Sequence, residues 1–440
     1  MAQDSTAMER AYSERQSGRF YLELSVYWFA LSFLWAGMIT IVIQTLVKHM
    51  AGPTKDLTLG WTLGIGAMIS TVVVIITGAM SDRSRWVMGR RRPYMIVGTL
   101  LSVPGLLWLA RVQSIPAMLG AFCLIQFWVN VATSPYQALI PDMVPKERQG
   151  AASAYMGMSS LLGQLGGLVL CGTLIRKPGG LWIIMVTLSV LLVVAMIYTV
   201  IRIPEQSAAQ NPAPRIGMWG TLVQSFHVKP SEHPDFFWLI ASRFMVNMGF
   251  YTATEFLLYY VGDTLGAPKP EDTVTTIFLI TTVAGLVGNF PAGFLGDRMP
   301  KKRIVYASAG ITAVAALVFL LTSSIHVAFV AAFIFGMGFG AFAAVDWALA
   351  TNLLPEHDEA KFMGVWHVSF TVPQVIAPMI GGPVAYLFNT RIHTILGYNT
   401  GPGFGYRIAL LMVILYFVAG VALIRPVRER VIAKVATQAA

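Results

Sequence analysis

The chain has 440 residues, of which 56% are hydrophobic and only 12% charged, with a formal net charge of +10. A soluble protein carries about twice that charged share, so apolar side chains must face lipid as well as core, and the sequence reads as a polytopic membrane protein. Two cysteines, Cys123 and Cys171, both within apolar runs, exclude a disulfide framework and a metal cage. The basic excess fits loops that orient transmembrane segments better than it fits nucleic-acid binding.

Residues 1–19 form a polar tail that mixes acids and bases, and no apolar run with a cleavage site follows, so no secretory signal is expected. A crossing helix needs about 20 mostly apolar residues. By that measure twelve spans are predicted: 20–46, 58–80, 94–111, 115–139, 151–174, 180–201, 236–261, 273–295, 303–323, 327–352, 362–388 and 405–424. The stretch 202–235, rich in Pro, Gln and Ser, reads as a cytoplasmic loop joining two six-helix halves, 20–201 and 236–424, and 425–440 is a second tail. The expected fold is therefore an all-α membrane protein. An even span number puts both termini on one side, and that side's loops hold most of the 31 Lys and Arg. Positive charge marks the cytoplasm, so both termini are expected there.

The halves echo each other. After span two the chain reads GAMSDRSRWVMGRRRP (Gly78 to Pro93), and after span eight GFLGDRMPKKR (Gly293 to Arg303). A second echo is ALIPDMVP (Ala138 to Pro145) against ALATNLLP (Ala348 to Pro355). Homologous halves of like orientation suit a transporter that rocks one half against the other about a central site.

The repeated G-x-x-x-D-R followed by a basic cluster resembles the loop signature of the major facilitator superfamily, and the resemblance covers essentially the whole chain. Within it, SDRSRWVMGRRRPY and the stretch FWVNVATSPYQALIPDMVPKERQGAASAYMG (Phe127 to Gly157) resemble the sucrose transporters and the glycoside–pentoside–hexuronide symporters. The resemblance implies a conformational latch on the cytoplasmic side, with Asp82 meeting Arg83, Arg90 and Arg91, and with Asp297 and Arg298 repeating the role; the alternative is that these arginines only anchor topology. It also implies that spans one, four, seven and ten line a central cavity.

Ionisable groups at membrane depth are costly, which makes each a site candidate. Span seven carries Arg243, Asn247, Tyr251, Glu255 and Tyr259 at i+4 spacing, so the stripe starts on one face. Span ten carries Asp346 and Trp347 after the small residues Gly336, Gly340 and Ala344, a stripe that admits a close neighbour. Span one carries Glu23, Tyr27, Trp28, Trp35 and Gln44, and span four Gln126, Asn130, Tyr136 and Gln137. Aromatic faces cover the C–H patches of sugars while amides and carboxylates bind hydroxyls. Trp35, Asn130, Gln137, Asn247, Tyr251, Glu255 and Trp347 supply that chemistry and are the expected substrate-binding residues. Trp28 and Tyr259 read as interfacial belt residues, and Glu23 as an acid able to snorkel to the cytoplasmic edge. Arg243 reads as structural, pairing an acid across the interface between halves. His367 and Gln374, near Pro373 and Pro378, read as packing and kink residues.

Plant sucrose transporters have an aspartate in span four, and its apparent counterpart is Asn130, which cannot titrate. Proton coupling is therefore expected through Asp346 or Glu255, with an uncoupled or sodium-coupled carrier as alternatives. The expected partners are a sugar or glycoside, a proton or other cation, and the lipid bilayer of a bacterial inner membrane. The expected state is a monomer with no cofactor, no metal and no nucleic acid. The competing reading is a proton-antiport exporter of drug-like or lipid-like amphiphiles. Exporters of the superfamily usually show a Gly-Pro-rich span five, whereas GMSSLLGQLGG (Gly157 to Gly167) has no proline. No nucleotide loop, metal-spaced His/Cys cluster or nucleophile arrangement appears, so an enzyme is not expected.

Overall fold

The computed structural model describes residues 18–144, 149–203, 205, 231–353, 359–392, 394–395, 398–399 and 403–428. The chain forms two compact units, Met1–Met218 and Trp219–Ala440, a division that falls inside the polar stretch 202–235.

In the first unit α1 (Gly18–Gly37) continues through a π-helical stretch, Met38–Ile43, into α2 (Gln44–Ala51). The chain turns at Gly52–Thr54 and enters α3 (Lys55–Asp82). Next come α4 (Arg92–Leu109), α5 (Ile115–Gln137), the short α6 (Leu139–Met143), α7 (Gln149–Leu174) and α8 (Gly180–Arg202). The second unit holds α9 (Pro234–Glu255), a single turn α10 (Leu257–Tyr259), a π-helical stretch Tyr260–Thr264, α11 (Pro270–Arg298), α12 (Lys301–Leu321), α13 (Ile325–Leu353), α14 (Glu359–Tyr386), a third π-helical stretch Leu387–Arg391, and α15 (Phe404–Leu423). A two-rung antiparallel hairpin, β1 (Thr394–Ile395) with β2 (Tyr398–Asn399), is the one departure from helix expected nowhere in the sequence.

Helices fall on the predicted spans with displaced ends, although the predicted span 236–261 is broken after Glu255. Among the described residues, ten stretches are long and apolar enough to cross a membrane. The difference from twelve has two sources. Gly18–Asp82 counts as one stretch of 65 residues, although that length of helix would run about 98 Å against a hydrocarbon core of about 30 Å. Pro234–Glu255 is not among the ten, because this is the helix where Arg243, Asn247 and Glu255 gather. The i+4 stripe on it also ends early: α9 stops at Glu255, and Tyr259 lies beyond the break, fully buried.

The pairing of helices repeats from one unit to the other. In the first, α1 packs on α7 and α8, α5 on α3 and α4, and α4 on α8. In the second, α9 packs on α14 and α15, α13 on α11 and α12, and α12 on α15. Taking α1, α3, α4, α5, α7 and α8 in order against α9, α11, α12, α13, α14 and α15, these pairs correspond one for one. Large apolar side chains, among them Val283, Val287, Phe290 and Phe294 on α11, are exposed, the arrangement lipid requires and water penalises.

Helices in lipid gain little from apolar burial against one another, so close backbone approach has to hold them. The small stripe of α13 does this: a Cβ on Gly340 would run into the carbonyl of Gly285, and one on Gly336 into that of Thr281, both on α11. Gly340→Leu should therefore force α11 and α13 apart, at about 1–3 kcal/mol by the usual cost of overpacking. The measurement is the thermal midpoint of the detergent-solubilised protein, with Gly157→Ala as the control, since nothing lies within 4 Å of a Cβ at that position. Equal midpoints for the two variants would show that this close approach does not hold the helices.

Candidate functional site

Three polar clusters stand out, two in the first unit and one in the second. The first lies in the loop between α3 and α4. Arg91 is almost wholly buried and bridges two carboxylates, Asp82 at 2.6 Å and Asp142 at 2.9 Å. Its guanidinium also donates to Ser81 Oγ, 3.1 Å away. Arg90 reaches the same Asp142 at 3.2 Å. Behind them, the Glu205 carboxylate accepts the backbone N–H groups of Arg90 (2.7 Å), Arg91 (2.8 Å) and Arg92 (3.1 Å). These N–H groups begin α4, where orphan donors and the positive end of the helix dipole favour an anion. Gly89 has φ of +105° with its missing Cβ facing the Glu205 side chain, so only glycine fits there. Arg92 then donates to the carbonyl of Ile203 at 2.5 Å, tying the exit of α8 to the start of α4.

The expected cluster of Asp82, Arg83, Arg90 and Arg91 is thus only partly assembled. Arg91 is its centre and Arg90 joins through Asp142, while the backbone N–H of Arg83 ends α3 on Met80 O. Asp142 and Glu205 are additions. Asp142 had been visible only as a letter in the repeat echo ALIPDMVP, and Glu205 sits at the start of a polar stretch where nothing marks it out. In the second unit, Arg298 is exposed at the end of α11, and the side chain of Asp297 lies outside the described residues. The repeat survives in part there, as Lys302 at the start of α12 donates to the carbonyls of Arg425 and Val427 beyond α15.

The second cluster is at membrane depth in the first unit. Both amide hydrogens of Asn130 are committed to its own helix, to Gln126 O (2.7 Å) and Gln126 Oε1 (3.1 Å), and its oxygen accepts from Ser70 at 2.9 Å. The Tyr136 hydroxyl donates to Leu24 O (2.5 Å) and accepts from the Trp28 N–H (3.1 Å), so it sits across one rung of α1. Trp28 stacks on that ring, and Tyr27 meets it edge-on while bonding Thr99 at 2.6 Å. Trp28 is therefore part of a packed aromatic group rather than a belt residue. Trp35 is half-buried, and Gln137 is exposed at the end of α5. Glu23 is buried and holds Arg202 at 2.6 Å and Arg19 at 3.1 Å.

The third cluster is in the second unit. Arg243 on α9 pairs with Asp346 on α13, and its guanidinium lies 3.7 Å above the centroid of the Trp366 ring on α14. The expectation that Arg243 pairs across the interface between halves is corrected here, since its acid belongs to the same unit. Asn247 donates to Ser369 O at 3.0 Å, and Gln374 donates to the Tyr251 hydroxyl at 2.7 Å. Gln374 is thus a member of the polar cluster, not a packing residue. Phe370 meets the Tyr251 ring edge-on at 5.7 Å. Glu255 is buried at the end of α9. The Trp347 and His367 side chains lie outside the described residues. Among the described residues, Arg243 Nε, Asp346 Oδ1 and Glu255 Oε2 are buried without a hydrogen-bond partner, and no group of His, Cys, Asp and Glu could hold a metal ion.

Two units of like helix packing, apolar outside and with polar groups gathered in a few buried clusters, describe a multi-pass membrane protein, and the family match makes it a transporter. The chain belongs to the major facilitator superfamily, whose family model matches residues 24–378 and 271–439. It is similar to the multi-drug resistance efflux pump PmrA of Streptococcus pneumoniae, 24% identical over 384 residues, which covers 83% of this chain and 90% of that protein. It is also similar to the fujikurins efflux protein of Gibberella fujikuroi, 25% identical over 305 residues. That match covers 67% of this chain and 61% of the relative, less than two thirds of its length. In fold it resembles a bacterial homolog of the human lysosomal transporter Spinster, with a TM-score of 0.71 and 14% identity, over 92% of this chain and 96% of that one.

Glu205 satisfies three backbone donors at once, whereas Asp82 is 57% exposed and has water as an alternative partner. Glu205→Ala should therefore cost on the order of 1–3 kcal/mol, the penalty for stranding such donors, and Asp82→Asn clearly less. Thermal unfolding of both variants in detergent checks the ranking, and the reverse order would show that the Glu205 contacts contribute little.

Proposed function

We propose that this transporter moves a sugar or glycoside across the cytoplasmic membrane of a bacterium by alternating access, in symport with a cation, the proton. In this reading a monomer with twelve spans and cytoplasmic termini works as two six-helix halves, 20–201 and 236–424, joined by 202–235. The observation that carries it is the open polar valence of the second-unit cluster. Arg243 Nε is a buried donor, and Asp346 Oδ1 and Glu255 Oε2 are buried acceptors, all without partners among the described residues. A sugar hydroxyl both donates and accepts, so a polyol can satisfy Arg243 Nε and Asp346 Oδ1 together, while Glu255 stands about 18 Å further along α9. The rings of Tyr251 and Phe370 offer apolar faces for its C–H groups, and Asn247 stands on the same helix. Trp35, Gln137, Asn130 and Trp347 complete the proposed set, with Asn130 contributing its oxygen, since its hydrogens are committed. The likeness of Ser81 to Tyr94 and of Phe127 to Gly157 to the sucrose-transporter branch supports the same substrate class.

The test is uptake of labelled sucrose, maltose and trehalose into vesicles holding the purified protein, with and without an imposed pH gradient. Uphill accumulation that collapses with the gradient is expected. Folded protein that moves none of these sugars would overturn the reading. A second reading, proton-antiport export of amphiphiles, is favoured by the names of the two efflux relatives, and in that case everted vesicles would accumulate an amphiphilic dye but no sugar.

The loop cluster is proposed as the latch. Asp82, Arg83, Arg90 and Arg91 would hold one conformation, with Asp297 and Arg298 in the lesser role, because a charge pair present in only one state biases the equilibrium by its differential energy. Asp82→Asn should shift the inward and outward populations and slow transport several-fold. Spin-label distances between the units together with initial uptake rates measure this, and unchanged values for both would leave the arginines as topology anchors.

A further inference from the structure

The sequence offers two buried acids for coupling, Asp346 and Glu255, on equal terms. Their surroundings differ. The charge of Asp346 is answered by Arg243, which is itself held under the Trp366 ring, so this pair is closed with respect to charge. Glu255 is 7% exposed, and no described residue forms a hydrogen bond or ion pair with it. An ionised carboxylate so placed needs a proton or a bound cation.

Among the described residues of α9 and of α14 and α15, which pack on it, no other titratable group supplies a counter-charge. On its own helix, Arg243 belongs to Asp346, and Tyr251 is taken by Gln374. On α15, Arg407 is spent on Leu320 O, Thr322 O and Ser323, and Tyr406 bonds Asp263 in the π-helical stretch; Tyr416, on the same helix, is neutral as a phenol. The side chains of Glu359, Lys361 and His367 on α14 lie outside the described residues. Glu255 also stands at a break in the helix: α9 ends on it, and after Phe256 the backbone runs on through one helical turn into a π-helical stretch.

We infer that Glu255 alone binds and releases the coupled proton, and that Arg243 and Asp346 form a positioning pair that keeps its charge closed through the cycle. The inference rests on the symport reading above and deepens it. A single proton then accompanies each substrate: it joins a Glu255 carboxylate oxygen from water on one side of the membrane and leaves to water on the other. Asp346 lends substrate only its free oxygen.

The test uses the full chain in proteoliposomes. Glu255→Gln should keep counterflow exchange of labelled sugar, at a reduced rate, while its accumulation ratio under a pH gradient falls to unity. The double variant Arg243→Gln with Asp346→Asn removes the pair without stranding either charge, but it also removes two atoms of the proposed sugar site, so it is read by its carboxyl band and not by transport. Accumulation by Glu255→Gln would overturn the assignment. An infrared pH titration of the carboxyl band needs no substrate and separates this inference from the sugar reading. A titrating band that Glu255→Gln removes and the double variant keeps supports the assignment even where no sugar moves. A band unchanged in Glu255→Gln, or lost in the double variant, refutes it.

Discussion

A guanidinium held away from water must be answered by a carboxylate close by, or by a dense set of hydrogen bonds, because leaving it alone costs several kcal/mol. Each unit of this transporter has one arginine under that constraint, and each builds its polar chemistry around it. In the first unit Arg91 draws Asp82, Asp142 and Ser81 together, so the end of α3, the start of α4 and α6 meet at one side chain. In the second unit Arg243 ties α9 to α13 through Asp346 and to α14 through Trp366. The two arginines sit differently. Arg91 is in a loop, where its partners remain in touch with water; Arg243 is within a helix, where its one acid is itself buried.

Around these points the two units share one packing scheme, and small residues set the closest helix pair of the second. The repetition is not complete. Asp142 corresponds in the repeat echo to Asn352, so the acid that holds both Arg90 and Arg91 has no charged counterpart in the second half. By contrast, the tie from the start of one helix to the carbonyls beyond another is kept, with Arg92 on Ile203 in one unit and Lys302 on Arg425 and Val427 in the other. On the proposed function, the first half carries the latch and the second the ionisable part of the ligand site.

Within the first unit Asn130 bonds Gln126 and Ser70, and Tyr136 bonds the backbone of α1. Among the described residues each unit still leaves five buried side-chain atoms without a hydrogen bond, and in the second they include the ionisable Arg243 Nε, Asp346 Oδ1 and Glu255 Oε2. Buried groups without partners are rare because they are costly, and in a transporter the natural partner is cargo. On the proposed function these three atoms are the ones that a neutral polyol and a proton would answer.

Much of the architecture was legible in the chain itself. Apolar runs of crossing length, interrupted by basic loops, mark out the helices to within a few residues, because the hydrocarbon thickness sets a length that composition must obey. The repeat was legible from the two Asp-Arg loops, and their resemblance to the loop signature of the superfamily pointed to the family. The candidate residues at membrane depth could be named because polarity there is conspicuous. Their partners could not. Nothing in the order of residues says that Arg243 takes Asp346, that Asn130 spends its hydrogens on Gln126, that Gln374 meets Tyr251, or that Glu205 caps α4 from more than a hundred positions away. Those pairings depend on which helix faces turn toward each other. Local sequence determines the length and polarity of a helix, whereas its rotation and depth are set by packing against its neighbours, and only the tertiary structure decides which buried charge is answered and which is left open.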